Sequence, residues 1–248
     1  MTEALTSLDE LLGGRVRLIQ SKGGLRAAID PVLLAAAIPA KSGESVLDAG
    51  CGTGAAALCL AARIAAVRVM GLDLQADLVA LARDSAELNI MSERVTFFDG
   101  DILAPPSPIA ETSFDHVMAN PPYMRSGAGN VSPDPARALA SVEGEADLAA
   151  WVRLCVARVR RGGSVTFSHR ADRAAEVAGL FVVACAETVI FPLGSKRALV
   201  RGIAGGRGGL THLSGLVLHR ADGTFTAEAD AVLRHGVALT LGGACASR

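Results

Sequence analysis

Residues 120–123 read Asn-Pro-Pro-Tyr, and this tetrapeptide carries the most specific chemistry in the sequence. The side-chain oxygen of Asn120 and the backbone carbonyl of Pro121 can accept the two N–H groups of a planar amino group. Such contacts favour a pyramidal nitrogen and stabilise the positive charge that develops on it during group transfer. Pro121 and Pro122 fix the backbone, and Tyr123 offers a ring for stacking. The motif predicts catalytic roles for all four residues and requires no general base before attack.

A second motif, Asp48-Ala49-Gly50-Cys51-Gly52-Thr53-Gly54, lies between a predicted strand and a predicted helix. Its glycines allow a cofactor to lie against the backbone, where a Cβ atom would hold it away. The spacing also satisfies the loose dinucleotide-binding pattern, with Asp73 near the distance expected of a ribose-binding acid. Asp48 argues against a dinucleotide, because a carboxylate beside a pyrophosphate is electrostatically unfavourable. It suits a ligand with an ammonium group, and S-adenosylmethionine carries both an α-amino group and a sulfonium cation.

Acidic residues stand at the ends of three successive predicted strands, at Asp48, Asp73 and Asp101. Open α/β sheets bind ligands at the carboxyl ends of their strands, so these acids are expected to face one crevice. Asp73 can accept hydrogen bonds from two ribose hydroxyls, and Asp101 can accept one from an adenine amino group. The following residues, Leu74 and Ile102, belong to the same predicted cofactor site. Taken singly, each acid could instead be a solvated carboxylate or a helix cap.

The composition limits the kinds of protein that this chain can be. Its 248 residues are 50% hydrophobic and 20% charged, which excludes a disordered chain and favours one sizeable domain. The net charge of −1 argues against a broad basic face for nucleic acid. The five cysteines lack CxxC spacing and the histidines lack ligand spacing, so a reducing cytoplasm and no metal are expected. No apolar run reaches the roughly 18 to 20 residues of a membrane span.

The motifs are positioned by alternating strand-like and helix-like segments, which predict an α/β fold with a mostly parallel sheet. The predicted strands of the central part are residues 45–48, 67–74, 94–101, 114–119 and 163–169. The predicted helices are residues 55–66, 76–88, 145–161, 171–180 and 227–234. After residue 180, Gly205-Gly206 and Asp222-Gly223 suggest antiparallel hairpins. The segment 124–145 is long for a loop, so we expect a functional lid or a mobile segment.

With these motifs, the chain resembles the class I S-adenosylmethionine-dependent methyltransferases that carry Asn-Pro-Pro-Tyr and methylate amino groups. Within that group it is most similar to bacterial tRNA (adenine-N6) methyltransferases. The similarity covers about residues 12–200 and includes residues 26–34, Arg-Ala-Ala-Ile-Asp-Pro-Val-Leu-Leu. The resemblance implies a doubly wound, Rossmann-like sheet of seven strands, with S-adenosylmethionine as cofactor and S-adenosylhomocysteine as product. It also implies that Asp30 and its neighbours close over the methionine end of the cofactor.

The chain is expected to form one domain with two additions. Residues 1–40 form an N-terminal extension that packs over the cofactor site, residues 41–204 form the methyltransferase core, and residues 205–248 form a C-terminal hairpin and helix. This last segment departs from the family pattern, so its role is left open. The oligomeric state is not determined by the sequence.

The substrate implied by the resemblance is the exocyclic amino group of adenine in tRNA. Ribosomal RNA, a protein glutamine amide and a small molecule are alternatives. Release factor glutamine methyltransferases share the motif but usually carry an N-terminal helical domain, for which forty residues are too few. A cofactor-binding module without turnover fits poorly with an intact motif, and a dinucleotide oxidoreductase rests on the glycine pattern alone.

Two basic stretches could bind RNA phosphates near the mouth of the site, or could be ordinary solvated surface. They comprise Arg15, Arg17, Lys22 and Arg26, and Lys196, Arg197, Arg201 and Arg207. Sequence-specific RNA recognition stacks splayed bases on aromatic rings, which suits an anticodon loop better than a helix. The aromatic fraction is only 4%, so Tyr123, the one tyrosine, must supply most of that stacking.

Overall fold

The strands that carry the two motifs are neighbours at the centre of one sheet. The computed structural model describes residues 6–23, 26–123 and 146–241. The strands are β1 (Thr6–Leu11), β2 (Val16–Ser21), β3 (Ser45–Ala49), β4 (Arg68–Asp73), β5 (Val95–Asp99), β6 (Phe114–Ala119), β7 (Val159–Arg170), β8 (Glu187–Leu193), β9 (Arg197–Ile203) and β10 (Gly209–His212). The helices are α1 (Ile29–Ala37), α2 (Ala55–Arg63), α3 (Ala76–Leu88), α4 (Ser107–Ala110), α5 (Leu148–Arg158), α6 (Ala174–Cys185) and α7 (Ala227–His235).

The main sheet has the strand order β10-β8-β9-β7-β6-β3-β4-β5 across the described residues. Strands β5, β4, β3, β6 and β7 run parallel, while β9 runs antiparallel to both β7 and β8. All six residues of β6 are buried, as expected of a parallel strand covered on both faces. The order in which successive strands are added to the sheet reverses between β3 and β6, and such a switch point opens a crevice for ligands.

The predicted sheet of seven strands is present, and a short eighth strand extends it. Strand β10 pairs in parallel with β8, whereas the glycines at 205–206 predicted an antiparallel hairpin at this point. The reason is that β8 and β9 already pair with each other, so the chain after β9 crosses to the free side of β8. The second predicted hairpin, at Asp222-Gly223, is reduced to one antiparallel bridge between His219 and Phe225.

Helices cover both faces of the sheet, which makes the fold doubly wound. One apolar cluster combines α1, α2, α3 and α7 with the β1–β2 hairpin, and the other combines α4, α5 and α6. The N-termini of two helices are capped by side chains of the residue types that are preferred at this position. Asp147 accepts a hydrogen bond from Ala150 N (2.7 Å) at α5, and Thr226 accepts one from Ala229 N (3.1 Å) at α7.

The two ends of the described chain meet over α1. Helix α7 packs on α1, and Leu239 N donates to the carbonyl of Ala36 (2.8 Å). The guanidinium of Arg201 donates to the carbonyls of Ala37 and Leu241, and it is 6% exposed. Arg201 therefore belongs to the core and not to the basic surface that the sequence suggested. Burial lowers the pKa of Arg201 to about 10. Three hydrogen-bond acceptors compensate for the loss of hydration.

The amino ends of the central strands are closed by a network of polar side chains. His116 contacts Ser164 Oγ through Nδ1 (2.8 Å) and Glu44 Oε2 through Nε2 (3.1 Å). Asp115 accepts hydrogen bonds from the backbone N and Oγ of Ser45 (2.8 and 2.9 Å) and forms an ion pair with Arg160. These buried polar groups obtain their partners from the protein itself.

Two properties of the described residues concern membranes and metal ions. None of the helices within residues 6–23, 26–123 and 146–241 is long and apolar enough to cross a bilayer. The same part of the chain contains no group of three or more His, Cys, Asp or Glu residues placed to hold a metal ion.

Candidate active site

A cavity of about 1230 Å³ opens at the carboxyl ends of β3, β4 and β6. Twelve of the fourteen residues predicted for the site line it: Asp30, Asp48, Gly50, Cys51, Gly52, Asp73, Leu74, Asp101, Ile102, Asn120, Pro122 and Tyr123. The other two, Gly54 and Pro121, lie beside it without forming its wall. The parallel strands bring together residues that are separated by up to 93 positions in sequence, from Asp30 to Tyr123.

The three glycines of the loop after β3 differ in what prevents a side chain at each position. All three have positive φ, at +73° for Gly50, +52° for Gly52 and +82° for Gly54. A Cβ atom on Gly50 would lie 2.7 Å from the Trp151 ring, and one on Gly54 would lie 2.6 Å from Phe97. A Cβ atom on Gly52 would meet no described atom within 4 Å. A side chain on Gly50 or Gly54 would therefore clash within the protein, whereas at Gly52 the space beside the backbone is open and the positive φ is the constraint.

Asp48 is a buried acid at the base of the cavity. It is 2% exposed and accepts one hydrogen bond, from Ala57 N at 3.2 Å. Burial, which the nearby charge of Asp73 reinforces, raises the pKa of Asp48 to about 7. A carboxyl group in this state gains strongly from a cation placed beside it, because the cation compensates for lost hydration. The cavity thus contains a fixed acceptor for an ammonium group.

Asp73 and Asp101 are held at the next two strand ends by backbone donors. Asp73 accepts hydrogen bonds from Gly52 N (2.8 Å) and Gln75 N (2.9 Å), and burial raises its pKa. Asp101 accepts one from Leu103 N at 2.8 Å. Each carboxylate retains lone pairs for a ligand's hydroxyl or amino groups.

Apolar side chains with exposed surface stand beside these acids. Leu74 is 57% exposed and Leu103 is 49% exposed, and both line the cavity together with Ile102. A concave site with apolar walls and a few fixed polar groups is typical of small-molecule binding. This combination fits S-adenosylmethionine, which has a cationic amino acid end, a ribose with two hydroxyls and a flat adenine ring.

The Asn-Pro-Pro-Tyr segment begins directly after β6. Asn120 is exposed and lines the cavity, whereas Pro121 is buried. The backbone carbonyl of Tyr123 accepts a hydrogen bond from Arg173 Nη1 at 3.3 Å. The guanidinium carbon of Arg197 lies 5.9 Å from the centre of the Tyr123 ring. Arg197 Nε also donates to Asp30 Oδ2 at 3.0 Å, which links the segment to α1.

Trp151 and His169 are among the residues of the cavity wall that sequence analysis did not indicate. Both are at least nine-tenths buried. The Trp151 Nε1 and both ring nitrogens of His169 make no hydrogen bond in the described part of the chain. Neither residue belongs to a motif, so only the packing of α5 and β7 against the strand ends reveals them.

Only some residues of the two basic stretches lie near the cavity in the structure. Arg26 and Arg197 line the cavity, as does Arg170, which the sequence did not indicate. Arg17 instead donates to the carbonyl of Leu88 at 2.7 Å and fixes the β1–β2 hairpin to α3. The predicted lid, residues 124–145, lies outside the described residues.

Comparisons with known proteins identify the family of this chain. A family model described as a methyltransferase domain matches residues 40–179. The tRNA1(Val) (adenine(37)-N6)-methyltransferase of Aeromonas hydrophila is 31% identical over 211 residues, covering 82% of this chain and 86% of that protein. The release factor glutamine methyltransferase of Chlorobaculum tepidum is 31% identical over 155 residues, covering 60% of this chain. The match covers 53% of that relative, so the chain spans about half of its length.

A solved structure shares most of the fold. The crystal structure of a protein from Agrobacterium tumefaciens, described as a predicted O-methyltransferase, has a TM-score of 0.68 and 25% identity. The match covers 84% of this chain and 97% of that one. Because the family model covers more than half of the sequence and a full-length relative aligns across most of it, the chain belongs to the S-adenosylmethionine-dependent methyltransferases.

Proposed function

We propose that this protein methylates the exocyclic amino group of adenine in tRNA. The observation that carries the proposal is the position of Asn120, exposed on the wall of the same cavity that holds Asp48 and Asp73. Asn120, which can accept a hydrogen bond from the substrate's amino group, thus faces the same cavity as the acids proposed to bind the cofactor. The proposal is further supported by relatives named tRNA1(Val) (adenine(37)-N6)-methyltransferase, which include proteins of Aeromonas hydrophila, Tolumonas auensis and Porphyromonas gingivalis.

The cofactor is assigned to the acids at the strand ends. S-adenosylmethionine supplies an electrophilic methyl group on a sulfonium sulfur when it is bound. Asp48 holds the ammonium group, and Asp73 accepts from the ribose hydroxyls. Asp101, with Leu74 and Ile102, borders the adenine. The cofactor lies against Gly52, where the backbone is open.

The neighbouring residues shape this pocket. Gly50, Cys51 and Gly54 shape the loop that joins β3 to α2. Asp30 borders the methionine end, as the resemblance implies, and its ion pair with Arg197 fixes it there. Residues of the N-terminal hairpin and α1 also line the cavity, which supports the expectation that residues 1–40 cover the cofactor.

The substrate's amino group is assigned to the Asn-Pro-Pro-Tyr segment. The Asn120 amide oxygen and the Pro121 carbonyl accept its two N–H groups, which aims the nitrogen lone pair at the cavity. As positive charge develops on nitrogen, both hydrogen bonds strengthen, so they stabilise the transition state more than the ground state. Pro122 keeps the backbone rigid. Tyr123 stacks on the base, and the Arg197 guanidinium faces the tyrosine ring.

Methylation of a protein glutamine amide is the second candidate. It is favoured by the match to release factor glutamine methyltransferases, in which the aligned part is about half of the relative. A primary amide also presents two N–H groups, so the same two acceptors serve either substrate. Cationic side chains favour RNA over this alternative, because Arg26, Arg170 and Arg197 line the cavity. Each is paired with a carboxylate, yet a guanidinium has several N–H groups, so that donors remain for phosphates.

The test is methyl transfer from labelled S-adenosylmethionine to bulk tRNA from cells that lack this protein, followed by nucleoside analysis. We expect label in N6-methyladenosine, and tRNA binding that weakens steeply as salt is raised. Asn120→Ala should lower kcat by about 1000-fold, because one acceptor for the developing charge is lost. Asn120→Asp keeps an acceptor oxygen and serves as the matched variant, with an intermediate rate. Label in a release factor glutamine and none in tRNA would select the second candidate.

A further inference from the structure

His169 lies next to the Asn-Pro-Pro-Tyr segment, on the neighbouring strand. Strands β6 and β7 are parallel, with Ala119 opposite Phe167, so the strand continues to His169 at the level of Pro121. Side chains two residues apart share a face of a sheet, and Phe167 and His169 therefore point to the same side. The imidazole is 2% exposed and forms part of the cavity wall.

The polar atoms of this ring lack hydrogen bonds. Backbone groups of Pro122 and Arg170 lie beside the imidazole and favour its protonated form, yet neither ring nitrogen makes a hydrogen bond of normal geometry with the described residues. Buried polar groups without partners are uncommon in native proteins and call for a specific reason. Hydrogen bonds that serve catalysis are often long or poorly aligned until the ligand is bound.

Arg173 makes the corresponding contact with the next residue of the segment. Its Nη1 atom donates to the Tyr123 carbonyl at 3.3 Å, and the residue is 9% exposed. Two further contacts, with Glu176 at 2.8 and 2.9 Å, hold the guanidinium in place. The carbonyls of Pro122 and Tyr123 therefore face donors that belong to one short stretch, from the end of β7 to the start of α6.

We infer that His169 and Arg173 are positioning residues that hold the Pro122 and Tyr123 carbonyls and leave the Asn120 amide and the Pro121 carbonyl for the substrate's amino group. We call this pair of residues the carbonyl clamp. The inference rests on the proposed function, because it assigns the geometry of the amino-group acceptors. Without the clamp the four-residue segment could rotate and present the wrong carbonyl, and small misplacements of reacting groups are costly.

The charge state of His169 suits this role. Burial, and then the charge of Arg173, lower the pKa of His169 to about 4, so the ring is neutral at physiological pH. A neutral imidazole has one N–H to donate to a carbonyl. It also places no positive charge beside the amino nitrogen that becomes cationic during transfer.

The test compares kcat, KM and cofactor affinity in purified full-length variants. His169→Leu removes the donor, whereas His169→Gln keeps an N–H group. We expect His169→Leu to lower kcat by about 100-fold with cofactor affinity unchanged, and His169→Gln to recover to within about 10-fold of the wild type. Arg173→Met, which keeps the apolar stem, should also lower kcat. His116→Leu is the control, because it removes the other buried histidine of the sheet far from the cavity.

Equal kcat for His169→Leu and the wild type would overturn the inference. So would equal losses in the Leu and Gln variants, since a purely structural role gives no rescue by a donor. If His169→Leu does not fold, the ¹⁵N signals of His169 in the wild type decide the matter. They should show a new hydrogen-bonded N–H when S-adenosylhomocysteine and adenosine are added, and unchanged signals would contradict the clamp.

A failure of the proposed function can be distinguished from a failure of the carbonyl clamp. Wild-type transfer to tRNA is measured first and judges the substrate alone. If the wild type methylates a release factor peptide instead, the proposed tRNA activity is wrong, and the same ranking of variants on that peptide judges the clamp. A wild type that methylates neither substrate overturns both.

Discussion

The two ends of the central strands contain the same kinds of buried polar residue in opposite circumstances. At the amino ends, His116 has a partner for each ring nitrogen, and Asp115 is held by Ser45 and Arg160. At the carboxyl ends, His169 has no hydrogen bond in the described part of the chain, and Asp48 has one.

The pKa values of the two acids follow this difference. Burial opposes ionisation of Asp115, but hydrogen bonds from Ser45 and the charge of Arg160 outweigh it and lower the pKa of that carboxyl. For Asp48, burial dominates and raises the pKa to about 7. The amino end is therefore built for stability, while the carboxyl end keeps groups whose partners must come from a ligand.

Among the substitutions that test this contrast between the two strand ends, Asp48→Asn should have the largest effect on ligand binding. Loss of the carboxylate should weaken S-adenosylmethionine binding by about 100-fold, the size of one strong charge-assisted hydrogen bond. The same change should raise the free energy of unfolding of the ligand-free protein by about 2 kcal/mol at pH 8, because no buried charge has to form. Calorimetric titration and urea unfolding measure the two quantities.

The stability gain of Asp48→Asn should depend on pH. The folded pKa lies above the ordinary value of 3.8, so the penalty of ionising Asp48 grows as pH rises from about 4 to about 7. The gain should accordingly fade toward pH 4. A variant that loses both affinity and stability at pH 8 would contradict the contrast between the two strand ends.

An intermediate effect is expected for His116→Leu. The change leaves the buried hydroxyl of Ser164 without its His116 partner and removes one of the two contacts of Glu44 Oε2, which keeps the hydrogen bond from Lys41 N. It should cost about 2 kcal/mol of stability. Activity per folded molecule should stay at the wild-type level, because His116 is far from the cavity. His169→Leu, in contrast, removes a group that already lacks partners and should cost little stability. Thermal unfolding of the two variants side by side makes the comparison.

The smallest expected effect concerns the pH dependence of stability at His169. Its folded pKa is lowered, so the unfolded chain binds a proton first as pH falls from about 6.5 to about 4. The wild type should lose about 1.4 kcal/mol relative to His169→Gln at pH 5.5, one unit below the unfolded pKa. Above pH 7 this contribution should vanish. Parallel pH profiles for the two proteins would show that the ring is not held neutral.

Sequence analysis located the elements whose patterns end abruptly. Strand β6 was predicted at 114–119 and helix α3 at 76–88, the limits that the structure has. A proline follows soon after the first, and a clear apolar spacing defines the second. The acids at the strand ends could be predicted to lie together, because the carboxyl ends of parallel strands meet at one edge of the sheet.

Residues placed by long-range packing could not be predicted. His169 and Trp151 enter the cavity because β7 and α5 pack beside β6 and β3, which no local pattern encodes. Arg201 looked like surface because arginine is rarely buried, yet acceptors from three distant elements surround it. A side chain on Gly54 would clash with the Phe97 ring of another strand, and no local pattern in the sequence encodes this constraint.

The contact between α1 and the segment 227–241 has a consequence for protein synthesis. Helix α1 leaves the ribosome early, but the residues that cover it emerge about 190 positions later. Until residues 227–241 emerge, the apolar face of α1 is incompletely covered, and Arg201, once it has been made, lacks the Leu241 carbonyl. A nascent chain in this state is open to aggregation and to chaperones. The enzyme thus gains the stability that these contacts supply only after residues 227–241 have been translated.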